Sequence, residues 1–235
     1  MDKDLHAGHR SRLRSQFTKG GLDPMSDVNV LELLLFYTIP RRDVNPIAHA
    51  LLNHFGTLSG VFEAPLEELQ KVPGVSEATA IHLHLIPQAA RSYLLDQQSR
   101  VRLLRTPEQL GEYLMPFFFA QRTEHVYLLC LDAMCKPMGV RLLAQGEINS
   151  AAVTPRKVVE TALSVGATSV VLAHNHPAGV ALPSQDDLDL TEKIFRALDA
   201  VDVFLADHLI FADSDFLSLA EDGLITKLLE EHHGL

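Results

Sequence analysis

The most informative stretch of this sequence is HNHPAGVALPSQDD, residues 174–187. It follows SVVLA, residues 169–173, a largely apolar run that is typical of a buried strand. Side chains alternate along an extended chain, so His174 and His176 project to the same side and can reach one metal ion. Ser184 is a residue type that caps helices, and the helix it starts can carry Asp187 back to the two histidines. Two histidines and one carboxylate leave a fourth position for water, as in catalytic rather than structural zinc sites.

A hydrolytic zinc site also needs a carboxylate base that does not bind the metal. Three glutamates precede the motif, namely Glu124, Glu147 and Glu160. Glu124 begins a predicted core strand, whereas Glu160 falls in the middle of a predicted helix, which favours a surface position. Ser184 can donate a hydrogen bond to a tetrahedral oxyanion, an interaction worth about 3–4 kcal/mol at comparable sites.

Around the motif, residues 105–228 alternate between strand and helix patterns, which predicts an α/β domain. The predicted strands are 124–131, 138–145, 169–173 and 203–211. One predicted helix begins at residue 107, and two more span 156–165 and 185–200. The first two strands form a hairpin about the turn at 132–137.

The first part of the chain, residues 1–98, reads as a separate helical domain. Its predicted helices are 6–17, 28–37 and 43–55, and breakers such as Gly20-Gly21, Pro40 and Gly56 separate them. Residues 66–81 predict a short helix, a tight turn and a second helix. The polar stretch 96–100 is the best linker candidate.

Composition limits the class of protein. Of 235 residues, 47% are hydrophobic and 21% are charged, as in globular proteins. No apolar run approaches the roughly 20 residues of a membrane-spanning helix, and early charges argue against a secretory signal. These features predict a cytoplasmic protein with no membrane partner. Cys130 and Cys135 are expected to be reduced thiols rather than ligands or a disulfide framework.

The net charge of −10 is divided unevenly along the chain. Residues 1–105 hold 12 Lys and Arg against 11 Asp and Glu, whereas residues 106–235 hold 8 against 19. The two parts therefore carry +1 and −11, which argues against nucleic-acid contact by the second part only.

One segment of the first part leaves DNA contact open. Residues 72–76, VPGVS, resemble the turn of a helix-hairpin-helix, spanning about 60–95, which presents backbone amides to a phosphate. Ser76 stands where a second glycine is usual. The arginines at 10, 12, 14, 41 and 42 supply phosphate contacts in this interpretation, and they are equally compatible with a solvated face.

The spacing H-x-H-x7-S-x2-D, formed by His174, His176, Ser184 and Asp187, resembles the JAMM signature of the MPN (JAB) metalloprotease superfamily. More narrowly, it resembles the bacterial RadC family, as do segments 8–10, 31–35, 41–43, 55–56, 183–187 and 207–208. Where that family commonly has serine after the proline of the HNHP segment, this chain has Ala178.

The resemblance implies an MPN-type, cytidine-deaminase-like mixed sheet with flanking helices at 105–228, preceded by an all-α, helix-hairpin-helix-like domain. It implies one Zn²⁺ per chain on His174, His176 and Asp187, with Glu124 as the base and Ser184 as the oxyanion donor. His208, beside Asp207, either orients a ligand or is a core histidine.

These arguments predict a zinc-dependent hydrolase of the JAMM metalloprotease type, which cleaves an amide, peptide or isopeptide bond in a protein or peptide substrate. One alternative is a DNA-associated repair or recombination accessory protein that contacts DNA through its N-terminal domain and uses the MPN domain as a scaffold. A metal-dependent nuclease is less favoured, because one site of this type lacks the second metal that phosphodiester cleavage often uses.

Overall fold

A computed structural model describes residues 8–98, 103–146, 153–177, 179–213 and 215–233. The chain divides into two compact units, Met1–Ser92 and Tyr93–Leu235. The predicted linker at 96–100 begins inside a helix that continues to Gln98, and its last two residues lie outside the described ranges.

The first unit is helical. Its helices are α1 (His9–Gly20), α2 (Asp27–Thr38), α3 (Asn45–Phe55), α4 (Leu58–Glu63), α5 (Leu66–Leu69) and α6 (Glu77–Gln98), the last of which extends beyond this unit. The Ser26 side chain caps α2 by accepting from the backbone amide of Asn29, and Pro46 lies in the first turn of α3. Helix α4 was not predicted; Thr57 starts it by accepting from the Gly60 amide.

Two polar residues hold the first unit together internally. Glu32 is fully buried, and its carboxylate lies 2.9 Å from His9 Nε2 and accepts from the side-chain Nδ2 of Asn29. The Arg10 guanidinium donates to the carbonyls of Phe36, Ile39 and Arg42 and lies over the Phe36 ring. Arg10 therefore has a structural role within the first unit. This corrects the prediction that its side chain belongs to a phosphate-binding or solvated face.

The second unit is a mixed α/β structure. Its elements are α7 (Pro107–Phe118), β1 (Glu124–Leu131), β2 (Pro137–Gly146), α8 (Pro155–Ser164), β3 (Ser169–Asn175), α9 (Gln185–Asp199), β4 (Phe204–Ala212), β5 (Asp215–Ser218) and α10 (Leu224–His233). The five strands form one sheet in the order β2-β1-β3-β4-β5. Only β3 and β4 pair in parallel, and the other neighbours are antiparallel. Strand β5 and helix α10 were not predicted.

Helices cover both faces of this sheet. Side chains from α8, α9 and α10 pack on one face with Val126, Leu128 and Leu172, and α7 packs on the other face with Leu129 and Val171. Because successive side chains of a strand point to opposite faces, the sheet contributes to two hydrophobic cores, one on each face. A mixed sheet with flanking helices confirms the predicted fold class of this unit at that level.

Two further observations concern the cysteines and the length of the helices. Cys130 is buried and Cys135 is half-buried, and both are free thiols. Across the described ranges, no helix is both long enough and apolar enough to cross a bilayer.

Candidate metal centre and active site

The sheet topology brings the predicted site residues to one edge. Strands β1 and β3 run antiparallel, with Val126 opposite His174. Glu124, the first residue of β1, lies two residues before Val126 and therefore shares its face of the sheet. The first residue of one strand and the last residues of the other thus meet at the same edge.

Three potential metal-binding groups converge there, namely His174, His176 and Asp187. The two Nε2 atoms are 3.0 Å apart, and Asp187 places Oδ1 3.2 Å from His174 Nε2 and Oδ2 3.6 Å from His176 Nε2. Tetrahedral zinc with bonds of about 2.0–2.1 Å would hold its ligand atoms about 3.3 Å apart. Both the separations and the nitrogen and oxygen donors fit that ion. No other group of this kind occurs in the parts of the chain that the structure describes.

Helix α9 delivers the carboxylate through its N-terminal cap. The Ser184 hydroxyl accepts from the Asp187 amide at 3.2 Å, and the Ser184 amide donates to Asp187 Oδ2 at 2.8 Å, which completes a capping box. The same hydroxyl donates to Asp187 Oδ2 at 2.6 Å. Ser184 therefore orients the carboxylate, a contribution that the sequence did not indicate beyond the helix cap.

The loop between β3 and α9 orients His176. Its Nδ1 atom lies 3.2 Å from the Val180 carbonyl oxygen, which can only accept a hydrogen bond. Nδ1 must therefore be the donor, and in the neutral ring Nε2 keeps its lone pair. That lone pair is on the nitrogen that lies close to His174 and Asp187.

His208 contacts a predicted metal ligand directly. Its Nε2 lies 2.8 Å from His174 Nδ1, and its Nδ1 lies 2.6 Å from the Thr191 hydroxyl. Asp207 takes no part in this contact, because its carboxylate accepts from the Ser218 hydroxyl and from the amides of Ala220 and His208. The Asp207–His208 pairing suggested by sequence is therefore replaced by a Thr191–His208–His174 chain. Sequence reasoning missed Thr191, whose only signal is its position four residues after Asp187.

Burial determines the protonation of these histidines. Desolvation lowers the pKa of His174 to about 4, with Asp187 opposing that shift and His176 adding to it. Desolvation likewise lowers the pKa of His208 well below its usual value, and burial raises the pKa of the Asp207 carboxyl. Near neutral pH both imidazoles are therefore uncharged, which is the form in which histidine binds metals.

Asn175, between the two predicted ligands, fixes the backbone on either side of Glu124. It is buried, and its Oδ1 accepts from the His125 amide at 2.7 Å while its Nδ2 donates to the Thr123 carbonyl at 3.2 Å. One carboxamide thus holds both peptide groups that flank the predicted base. No sequence pattern indicated this role, because it depends on residues that are about 50 positions away.

A cavity of about 400 Å³ opens at this edge. Glu124, Ser184, His208 and the three potential metal-binding residues line it, as do residues that the sequence did not indicate: Val126, Val153, Leu172, Asp186 and Leu190. Carboxylates therefore share the cavity with an apolar wall, a combination suited to holding a substrate chain beside a reactive group.

Of the other candidate bases, Glu160 does not line this cavity. Glu160 lies on α8, is exposed, and pairs with Arg156 at 2.7 Å. Glu147 lies outside the described residues, as does Ala178. Of the two candidate glutamates that the structure describes, only Glu124 lines the cavity.

Comparisons with known proteins show which family this chain resembles. The family model for the RadC-like JAB domain matches residues 104–224. A UPF0758 protein of Ruegeria pomeroyi is 35% identical over 217 residues, a match that covers 92% of this chain and 97% of that relative.

Proposed function

This chain belongs to the RadC family, and from that premise we propose that it is a zinc-dependent hydrolase that cleaves an amide bond in a protein or peptide. The observation that carries the proposal is the convergence of His174, His176 and Asp187 in one cavity with Glu124. Members of the JAB group typically bind a metal, and the donor set here matches the preference of zinc.

Each residue has a distinct task in this proposal. When bound, the zinc ion would acidify a water molecule and polarise the substrate carbonyl. Glu124 accepts a proton from the attacking water and passes it to the leaving nitrogen. The Ser184 hydroxyl turns from Asp187 to the developing oxyanion, while the Ser184 amide continues to hold the carboxylate.

Metal analysis is the first test. Purified full-length protein should contain one zinc per chain, and His174→Ala and Asp187→Ala should each lose it. A wild-type protein that binds no zinc after incubation with the ion, or variants with unchanged zinc content, would contradict the metal assignment.

The hydrolytic role is tested separately by Glu124→Gln. This variant should keep its zinc and lose activity, measured by mass spectrometry as new peptide termini in a proteome-derived peptide library. Glu160→Gln is the matched control, because Glu160 lies on the surface of α8, and it should behave as wild type. Equal product formation by Glu124→Gln and wild type would reject Glu124 as the base.

A second candidate function, contact with DNA through the first unit, is favoured by the position of Arg42. Gly74, in the turn between α5 and α6, has a positive φ of 94°, and Nη1 of Arg42 lies 3.6 Å from where a side chain at Gly74 would begin. A cationic group therefore adjoins the turn that resembles a helix-hairpin-helix. Such a turn offers amides to a phosphate, and the arginine would add charge.

A duplex oligonucleotide tests this second function on the full-length chain. Wild type should bind with a steep salt dependence, and Arg42→Ala should lower the slope of log K against log salt by about 1. Arg156→Ala removes the same charge from the second unit, where the side chain pairs with Glu160, and it should leave the slope unchanged. Absence of wild-type binding at low salt would reject the DNA contact.

A further inference from the structure

A continuous chain of buried hydrogen bonds joins two of the predicted metal ligands. Thr191 Oγ1 donates to the backbone carbonyl of Asp187 at 2.6 Å and lies 2.6 Å from His208 Nδ1. His208 Nε2 in turn lies 2.8 Å from His174 Nδ1. Thr191 and His208 are at most 1% exposed, and His174 is 7% exposed, so water does not complete these contacts.

The position of every proton in this chain follows from counting donors. A carbonyl oxygen can only accept, and a hydroxyl has one proton, so the Thr191 proton points to Asp187. His208 Nδ1 must then carry a proton and donate it to Thr191. No carboxylate contacts the His208 ring among the described residues, and an unpaired buried charge is very unfavourable, so that ring is neutral and its Nε2 accepts. His174 Nδ1 is therefore the donor of the last bond.

We propose that Thr191 and His208 are positioning residues that lock His174 in the Nδ1-protonated tautomer, which keeps its Nε2 lone pair available to a metal ion. This inference rests on the proposed metal site. This lock is the chain of hydrogen bonds that starts at the backbone carbonyl of Asp187 and ends at the ring of His174. It therefore also couples the first turn of α9 to the orientation of the His174 ring. The Val180 carbonyl fixes the same tautomer in His176, because it accepts a hydrogen bond from Nδ1 of that ring. The Nε2 atoms of His174 and His176 are then 3.0 Å apart with no proton between them. A cation between them relieves that repulsion.

The tautomers can be read directly in the metal-free full-length protein at pH 7.5. Two-bond ¹H–¹⁵N spectra of histidine-labelled protein distinguish protonated from unprotonated ring nitrogens, and single-residue variants assign the signals. We expect His174 and His208 both to be protonated on Nδ1 only. A wild-type His174 protonated on Nε2 would overturn the proposal without any variant.

Thr191→Val removes the hydroxyl at nearly constant shape. Without an acceptor, His208 should shift to the Nε2-protonated form, which then donates to His174 and moves the His174 proton to Nε2. Zinc affinity, measured by competition with a chelator, should fall about 10–100-fold. Unchanged tautomers or unchanged affinity in this variant would overturn the proposal.

Matched controls separate the lock from general effects on the fold. Thr161→Val removes a hydroxyl that makes the same bond to the carbonyl four residues earlier, at 2.6 Å, but on α8 and exposed to solvent. It should keep wild-type tautomers and zinc affinity. His208→Gln keeps an acceptor for His174 and should retain affinity, whereas His208→Leu should lose it.

The same experiments distinguish this inference from the proposed function. A protein that shows the expected tautomers but binds no zinc would contradict the proposed function and leave the lock standing. A protein that binds zinc with His174 free to change its tautomer would contradict the lock alone.

Discussion

Replacing Asn175 by leucine should release the backbone around Glu124. In the wild type its side chain accepts from the His125 amide at 2.7 Å and donates to the Thr123 carbonyl at 3.2 Å, and these two peptide groups flank Glu124. Leucine has similar bulk but neither donates nor accepts, so the variant tests the hydrogen bonds more than the packing.

The two lost bonds have different consequences. The His125 amide would remain buried without a partner, which costs about 1–3 kcal/mol. The Thr123 carbonyl keeps the His125 Nδ1 donor at 2.9 Å, so only the net value of one hydrogen bond is lost, about 0.5–1.5 kcal/mol. Together these give about 1.5–4.5 kcal/mol for opening of this segment.

Amide hydrogen exchange at His125 measures this opening in the metal-free, full-length protein. Because each 1.4 kcal/mol corresponds to a factor of about ten, exchange in Asn175→Leu should be roughly ten- to thousand-fold faster than in the wild type. Asn175→Asp keeps an oxygen acceptor and should leave the His125 amide protected. Any hydrolytic activity of the wild type should fall in Asn175→Leu while one zinc per chain is retained. Unchanged exchange at His125 in this variant would show that the Asn175 side chain does not hold this segment closed.

Three further predictions concern the site and its support. Ser184→Ala should lower the free energy of unfolding by about 1 kcal/mol, because it removes the cap of α9, and should lower hydrolysis per bound zinc about 10²–10³-fold; unchanged turnover with zinc bound would remove Ser184 from the mechanism. Because burial lowers the pKa of His174 from 6.5 to about 4, the unfolded chain binds a proton there between these pH values and the folded chain does not. The metal-free protein should therefore gain stability as pH rises through this window, by up to about 1.4 kcal/mol per unit from this residue, with the full contribution present above pH 6.5. Urea unfolding at pH 4.5 and 7 measures the gain, and an identical pH dependence in His174→Gln would contradict it. A side chain at Gly111 of α7 would overlap ring atoms of Phe216, so Gly111→Ala should destabilise the second unit by about 1–3 kcal/mol although alanine favours helices. Phe216→Leu should relieve part of that loss in a double variant, and a Gly111→Ala protein as stable as wild type in urea would show that no such overlap exists.

The elements that could be predicted from sequence are those with a strong local pattern. Strand β1 has the predicted bounds, and α9 begins at the predicted residue because Ser184 caps it. Strand β5 has only four residues and no clear period, and it forms because Phe216 lies against Phe211 and Gly111. Helix α4 spans a single short segment whose apolar residues show little periodicity, and its burial against the neighbouring helices stabilises it.

The predicted site also has a part that local sequence patterns determine and a part that depends on packing. The convergence of His174, His176 and Asp187 follows from local rules, since alternation along a strand and a capped first turn are set by neighbouring residues. The structure also places Glu124 in the same cavity, but the sequence could favour it over Glu160 only by element type.

The α/β pattern of the second unit, the spacing of the three potential metal-binding residues and the resemblance to the RadC family can all be recognised in the sequence. The groups that orient these residues are visible only in the folded chain, since Thr191, His208 and Asn175 act across 17 to 52 positions of sequence. The difference lies in the range of the interactions. A helix cap or a strand alternation involves residues within a few positions, whereas a buried proton finds its acceptor only after the strands and helices have packed together.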